Sequence, residues 1–494
     1  MAQTFDVIIV GGGVVGCMTA RYLSRYQLST LLIEKDADVG MGASSANSAI
    51  VHAGYDPLPG TLKAEMNVKA NGMWDTLAGE LGFPFERRGD YVVAVGEEER
   101  KSLDQLLDQG TQNGVPGMHF ISADEMRRRE PNINPDVSGA LWAPTGGICD
   151  PFAVTIAAAE NAIQNGVTVM VDTAFEDFIM EGHRVVGVKT NRGDFLSRWV
   201  VNCAGINADM VMHKANLHPE FKITPRRGEY FVLDRAEITI NNVLFPCPTE
   251  KGKGILVTTT LHGNTILGPN ASRQDGRDAR PLTREGMDEV WQGAAKLVPT
   301  LQQKYVIAGF AGLRATGNAP CRTPGINYSG DFMIEIPAEV QGLVNLGGIE
   351  SPGLTSAPAI ALRVVELLED AGEKLKPRKD WNPIRPPRPH FRELSREDQI
   401  KLINSDAAYG RIICRCEMVT EGEILAELRS LLPARTYDAL KRRTWLGTGR
   451  CLGSFDMPRV VDIMSRELGV SPLEITKKGN DSNFLFRMTK AVEE

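Results

Sequence analysis

The chain of 494 residues is short of positive charge, of long apolar runs and of cysteine. It carries 62 acidic against 55 basic residues, a net charge of −7. A field of that sign repels nucleic-acid backbones and anionic membrane surfaces, so a small ligand is the expected partner. Its N-terminal apolar run, FDVIIVGGGVVGC, follows no basic segment and is broken early by glycines. That excludes a signal peptide or spanning helix there and predicts a cytoplasmic protein without a membrane span. Eight cysteines are too few for a disulfide scaffold of this length, and Cys17, Cys149, Cys203, Cys247 and Cys321 are scattered singly. Cys414, Cys416 and Cys451 are clustered in the last fifth of the chain.

What is present is ordinary globular material. With 42% hydrophobic and 24% charged residues, 49 Gly and 28 Pro, disordered, collagen-like and coiled-coil classes are excluded. The length suits about two to four domains.

FDVIIV at 5–10, a helical stretch to about 27 and TLLIEK ending at Lys35 read as strand, helix, strand. Further strands are expected at 166–171, 184–190 and 199–203, and helices near 97–113, 151–165 and 355–372. From 222 to 350 strand signals dominate. Residues 377–392 hold five prolines and five basic residues in sixteen positions and read as a linker. About a hundred residues follow, enough for a small helical module.

Gly11, Gly13 and Gly16 form G-x-G-x-x-G between the first strand and helix. The first allows the tight turn, the second lets backbone approach a pyrophosphate, and the third permits close helix packing. Glu34 stands at the next strand end, where an acid accepts ribose hydroxyls, with Lys35 beside it. A dinucleotide site follows, FAD or NAD on this motif alone.

The stretch after Glu34, KDADVGMGASSANSAIVHAGYDPLPGTLKA, resembles the D-amino-acid-oxidase-like flavoenzymes, and among them most resembles L-2-hydroxyglutarate oxidases and anaerobic glycerol-3-phosphate dehydrogenases. VVNCAGINAD (200–209), PRRGEY (225–230), ILGPNA (266–271), FAGLRA (310–315) and GGIESPGLTSAPAIA (347–361) extend the likeness to residue 370. The resemblance implies an α/β (α+β) architecture, with a Rossmann-like FAD-binding domain at about 1–85, 145–220 and 325–375. A β-sheet substrate domain at about 86–144 and 221–324 is interleaved with it, and residues 376–395 are the linker. It implies FAD as cofactor. Glu34 would meet the ribose, Ser44, Ser45 and Asn47 would lie along the flavin, and Ala204 and Gly205 would lie near the cofactor. Gly348, Ser351, Gly353, Leu354 and Thr355 would present a helix N-terminus to the flavin's pyrimidine side, where backbone dipoles stabilise negative charge.

For the reaction, the resemblance implies Arg314 as clamp for an anionic substrate, a role its planar fork suits. Arg227 is a second anion-binding candidate. His52 is expected to take a proton, or else to pack beside the cofactor; Tyr55 orients substrate or forms cavity wall. His262 is a weaker candidate, expected in a solvated loop. The basic groups Arg87–Arg88, Arg127–Arg129 and Lys441–Arg443 are expected on solvated faces. The expected activity is oxidation of a small anionic 2-hydroxy acid. Glycerol 3-phosphate is the alternative within the class, and an electron-transfer flavoprotein subunit of a larger complex is the alternative outside it.

RIICRCEMVTEGEI (411–424) and DALKRRTWLGTGRCLGSFDMPRVVDIM (438–464) resemble the bacterioferritin-associated-ferredoxin-like module, a helical [2Fe-2S] domain, here at 396–494. The resemblance implies Cys414, Cys416 and Cys451 as ligands, with Asp456 in the place of the fourth cysteine. A carboxylate is a harder ligand than thiolate. Three readings therefore stand: an Asp-ligated cluster, a fold without its cluster, or another metal or redox thiol pair. A cluster would imply an electron-accepting protein or subunit as partner; the oligomeric state is left open.

Overall fold

The computed structural model describes residues 3–236, 238–248, 254–487 and 489. Strand Gln3–Val10 is an apolar run because a core packs on each of its faces, Val7 and Ile9 in one and Phe5, Ile8 and Val10 in the other. It pairs in parallel with Thr30–Ile33 on one side and Gly193–Asn202 on the other. Val10 therefore stands level with both Ile33 and Asn202, and three strand ends meet at the glycine turn. The sheet has eight strands; its edge at Phe175–Glu181 and Arg184–Thr190 is an antiparallel hairpin. Helices Val14–Leu23, Pro151–Gln164 and Gly353–Asp370 pack on one side of it in the main core.

Local chemistry sets the ends of these helices. Asp150 accepts hydrogen bonds from the backbone N–H groups of Phe152 and Ala153, with Pro151 at the first helical position. Thr61 likewise caps Leu62–Asn71.

A second sheet of nine strands forms the other lobe. Its long pair, Ile223–Leu233 and Val306–Gly317, is antiparallel from Ile223↔Gly317 to Leu233↔Val306. The expected interleaved α/β architecture is thus present. Between the lobes runs a three-stranded sheet of Ile50–Val51, Gly147–Cys149 and Phe85–Arg87.

The proline-rich segment is irregular, as its composition predicts, but it is fastened along its length. Trp381 donates to Ser24 Oγ, Asn165 Oδ1 accepts from the Asn382 N–H, and Arg385 and Arg388 both grip Glu160. Beyond it, Glu421–Leu428, Tyr437–Thr444 and Met457–Leu468 enclose a core with Ile424, Leu440, Val460 and Met464. Leu432 of this module belongs to the main core, so the module is packed into the body. Among the described residues no helix is long and apolar enough to cross a membrane.

Candidate active site

The glycine turn is built by exclusion. Gly11 has φ of +109°, and a Cβ there would lie 2.5 Å from the Cys203 carbonyl oxygen; at Gly16 a Cβ would collide with the Gly11 carbonyl. Gly13, by contrast, faces open space up to Ser44 Oγ at 3.4 Å. Beside the turn the buried Glu34 carboxylate accepts from the backbone N–H of Gly12 (2.6 Å) and Asp36 (2.9 Å). Burial raises Glu34 to about 7, offset only in part by those donors. A buried acid held by two backbone N–H groups beside an open helix N-terminus fits a ribose and diphosphate. Lys35 is half exposed and pairs with Asp36.

The loop after Glu34 shapes itself with its own side chains. Ser45 Oγ donates to the Gly42 carbonyl, and Asn47 bridges the Ala43 and Ser44 carbonyls and the Ala49 N–H. Ser44 Oγ reaches back to accept from Val14 N–H at 2.9 Å. Ala204 and Gly205 (φ +56°) lie at the adjoining end of Gly193–Asn202, with Ala204 Cα close against Gly11.

On the far side, Gly348 (φ +65°) and Ser351 precede the helix opened by Gly353, Leu354 and Thr355, whose N-terminus has no side-chain cap and no acid in its first turn. Thr355 Oγ1 accepts from the His52 N–H at 3.0 Å, while the His52 carbonyl accepts from Asn67 and Asn71. This holds the His52 ring 3.4 Å from Ser351 Oγ and 5.8 Å, centroid to centroid, from Phe245. His52, Tyr55, Asp56 and Phe245 line one cleft. The Tyr55 phenol is buried and raised well above its usual value, so it stays protonated.

Strand parity decides the arginines. In an antiparallel pair, directly opposed residues share a face, and neighbours in sequence alternate. Arg226 is opposed by Arg314 on one side and Arg273 on the other, so these three form a row. Gly228, Gly312 and Tyr230 continue that face, and a Cβ at Gly312 would collide with the Ala46 carbonyl of the cofactor loop. Arg314 bonds the Asn270 carbonyl through both terminal nitrogens at 3.3 Å, and Tyr230 approaches Ser48 at 3.3 Å. Arg227, the second anion-binding candidate, lies buried on the opposite face, 3.4 Å from Glu229 and 3.3 Å from Thr283. Its neighbour Arg226 stands on the face of Arg314.

Sequence reasoning also passed over Glu350. Burial pushes this carboxyl up, but Lys63 at 2.9 Å, Thr316 at 2.6 Å and nearby Arg314 hold it below the usual range. The buried ion pair joins three distant segments, so no local pattern announces it. His262 is nearly buried, 4.2 Å from the Trp445 ring and 3.6 Å from Glu393, and belongs to the contact with the C-terminal module. Two basic groups expected in solvent are engaged: Arg87 binds Asn71, Thr145 and Asp75, and Arg442 and Arg443 bind Asp38.

In the C-terminal module, Cys416 Sγ lies 3.6 Å from both Cys414 Sγ and Cys451 Sγ. Burial raises the Cys414 thiol, while the backbone N–H groups of Gly447 and Glu417 favour its thiolate. Tyr437 donates to Asp456 Oδ1 at 2.7 Å, and the buried carboxylate also adjoins the Cys414 thiol. Among the described residues, no three His, Cys, Asp or Glu side chains are arranged to hold a single metal ion. The thiols meet as pairs.

Residues 6–367 match the family model described as DAO, FAD dependent oxidoreductase, and the chain belongs to this family. It is therefore an FAD-dependent enzyme. It is 44% identical to the glycerol 3-phosphate dehydrogenase of Caloramator mitchellensis over 496 residues, 99% of each chain. To the L-2-hydroxyglutarate dehydrogenase of Indibacter alkaliphilus it is 29% identical, over 73% of this chain and 98% of that one. Among solved structures it is similar to dithionite-reduced L-alpha-glycerophosphate oxidase from Mycoplasma pneumoniae with FAD bound, with a TM-score of 0.72 and 32% identity over 78% of this chain and 98% of that one.

Proposed function

We propose that this enzyme oxidises the secondary hydroxyl of glycerol 3-phosphate. The full-length likeness to the Caloramator dehydrogenase carries the reading, because it spans the C-terminal module as well as the flavin-binding part. The 2-hydroxy acid expected from the sequence gives way to it, since the hydroxyglutarate relative is more distant and leaves the remainder of the chain unmatched. The arginine row supports the same choice. Arg226 and Arg314 are opposed on one face, and two neighbouring guanidiniums suit a phosphate dianion.

Glu34, the Gly11–Gly16 turn, the 40–49 loop and the Gly353 helix N-terminus would hold FAD, which when bound supplies the acceptor for the hydride that leaves carbon. Arg314, with Arg226 beside it, binds the phosphate and fixes the substrate's orientation. His52 Nε2 takes the hydroxyl proton, with Ser351 Oγ as its neighbour. Lys63 neutralises Glu350, so the buried carboxylate adds no unbalanced negative charge near the incoming anion.

Anaerobic mixing with a substrate panel tests this. Glycerol 3-phosphate should bleach the flavin absorbance within seconds, and L-2-hydroxyglutarate should not. Bleaching by the hydroxy acid alone would restore the displaced reading.

For the C-terminal module we infer a [2Fe-2S] cluster on Cys414, Cys416, Cys451 and Asp456. Its support is the paired thiols, the N–H groups at Cys414 and the buried Asp456 carboxylate, which Tyr437 orients beside the Cys414 thiol. Such a group would pass single electrons to an accepting protein. Anaerobically purified protein should contain two irons and two sulfides per chain beside the flavin; protein without iron would sink the inference.

A further inference from the structure

We propose that the C-terminal module is a clasp on the FAD-binding loop, with Arg443 as its principal positioning residue. Residues 35–42 connect Glu34 to the loop of Ser44, so they govern where both ends of the cofactor site stand. Glu34 tethers the start of this segment, and a hydrogen bond from the Gly40 N–H to the Gly12 carbonyl (2.9 Å) tethers its end. Between them Asp38 turns inward and is buried. Arg443 grips it through both terminal nitrogens, at 2.6 and 2.8 Å, and Arg442 adds a third bond at 2.8 Å.

Both arginines come from the short helix Tyr437–Thr444, about 400 residues downstream, and Arg443 is 1% exposed. The module fixes that guanidinium independently through the Ala439 carbonyl (3.0 Å) and Glu427 (3.5 Å). A second touch reinforces the first: Gly479 lies so close to Ala37 that a Cβ there would stand 2.6 Å from the Ala37 Cβ. Without Arg443 the buried Asp38 loses its two-pronged partner and keeps only the single bond from Arg442, so the segment loses most of its grip. The Mycoplasma structure holds FAD in a chain that matches only 78% of this one, so the family fold does not require the device in general. Here the cofactor loop has delegated its anchoring to the module.

The test uses the full-length holoprotein without substrate, which separates it from the question of what the enzyme oxidises. Asp38→Asn, Arg443→Gln and the double variant are compared for FAD dissociation, read as flavin fluorescence appearing on dilution. Each single variant should lose FAD at least tenfold faster, the double should be no worse than the worse single, and Arg443→Lys should recover part of the loss. Hydrogen exchange of the Met457–Leu468 amides reports whether the module itself has opened. If Arg443→Gln speeds that exchange, Asp38→Asn, which lies outside the module, decides alone. Unchanged FAD release in Asp38→Asn, or additive losses in the double variant, would overturn the proposal.

Discussion

At the residue scale, the pairings separate binding from proton transfer. Arg314→Lys keeps the charge but loses the fork, and should raise KM for glycerol 3-phosphate tenfold or more with a smaller change in kcat, read by steady-state kinetics. His52→Gln should do the reverse, lowering kcat by about 10²–10⁴ while substrate still binds. Glu34 makes FAD affinity pH-dependent. Its carboxyl is raised to about 7 by burial in the cofactor-free protein, and ribose hydroxyls favour the ionised form. Affinity should therefore strengthen as pH climbs from 6 to 8 and weaken below 7, and Glu34→Gln should flatten the profile in a fluorescence titration. For the cofactor-free fold the sign is opposite. A raised carboxyl contributes most to stability below the ordinary carboxyl range and loses that contribution as pH rises towards 7.

At the element scale, the register of Ile223–Leu233 against Val306–Gly317 decides which side chains face the cofactor loop. Gly312 sits where the two lobes touch, with no room for a side chain against Ala46. Gly312→Val should force the strand pair away from the loop and reduce FAD content on purification more than it lowers the melting temperature. Equal flavin content in variant and parent would show that the lobes yield freely there. The same parity separates Arg226 from Arg227: the two residues are neighbours in sequence and lie on opposite faces of one strand.

At the scale of the whole molecule, the C-terminal module is bound to both lobes. Glu160 and Glu427 share Arg388, Trp445 sits between Phe152 and His262, and Arg450 reaches Asp234. A tethered domain on a free linker would melt separately. This one should melt with the body in a single calorimetric transition, and a distinct early transition that leaves the flavin bound would contradict the packing described.

Much of the site was legible in the sequence because it depends on short-range geometry. The Gly11–Gly16 turn, the acid at Glu34, the FDVIIV strand and the capped helices each follow from a few neighbouring residues, and so did the α/β class and its dinucleotide site. Family motifs added FAD and pointed to His52 and Arg314. What the tertiary structure decided were contacts between residues far apart in the chain. Strand register put Arg226, not Arg227, on the face of Arg314, the Lys63–Glu350 pair joined segments with no shared pattern, and a basic run that read as solvated became the buried grip of Arg443 on Asp38. The physical reason is the same in each case. Turns, caps and periodicity are set by backbone sterics within a few residues, whereas the burial and pairing of a charge depend on which distant surface closes over it.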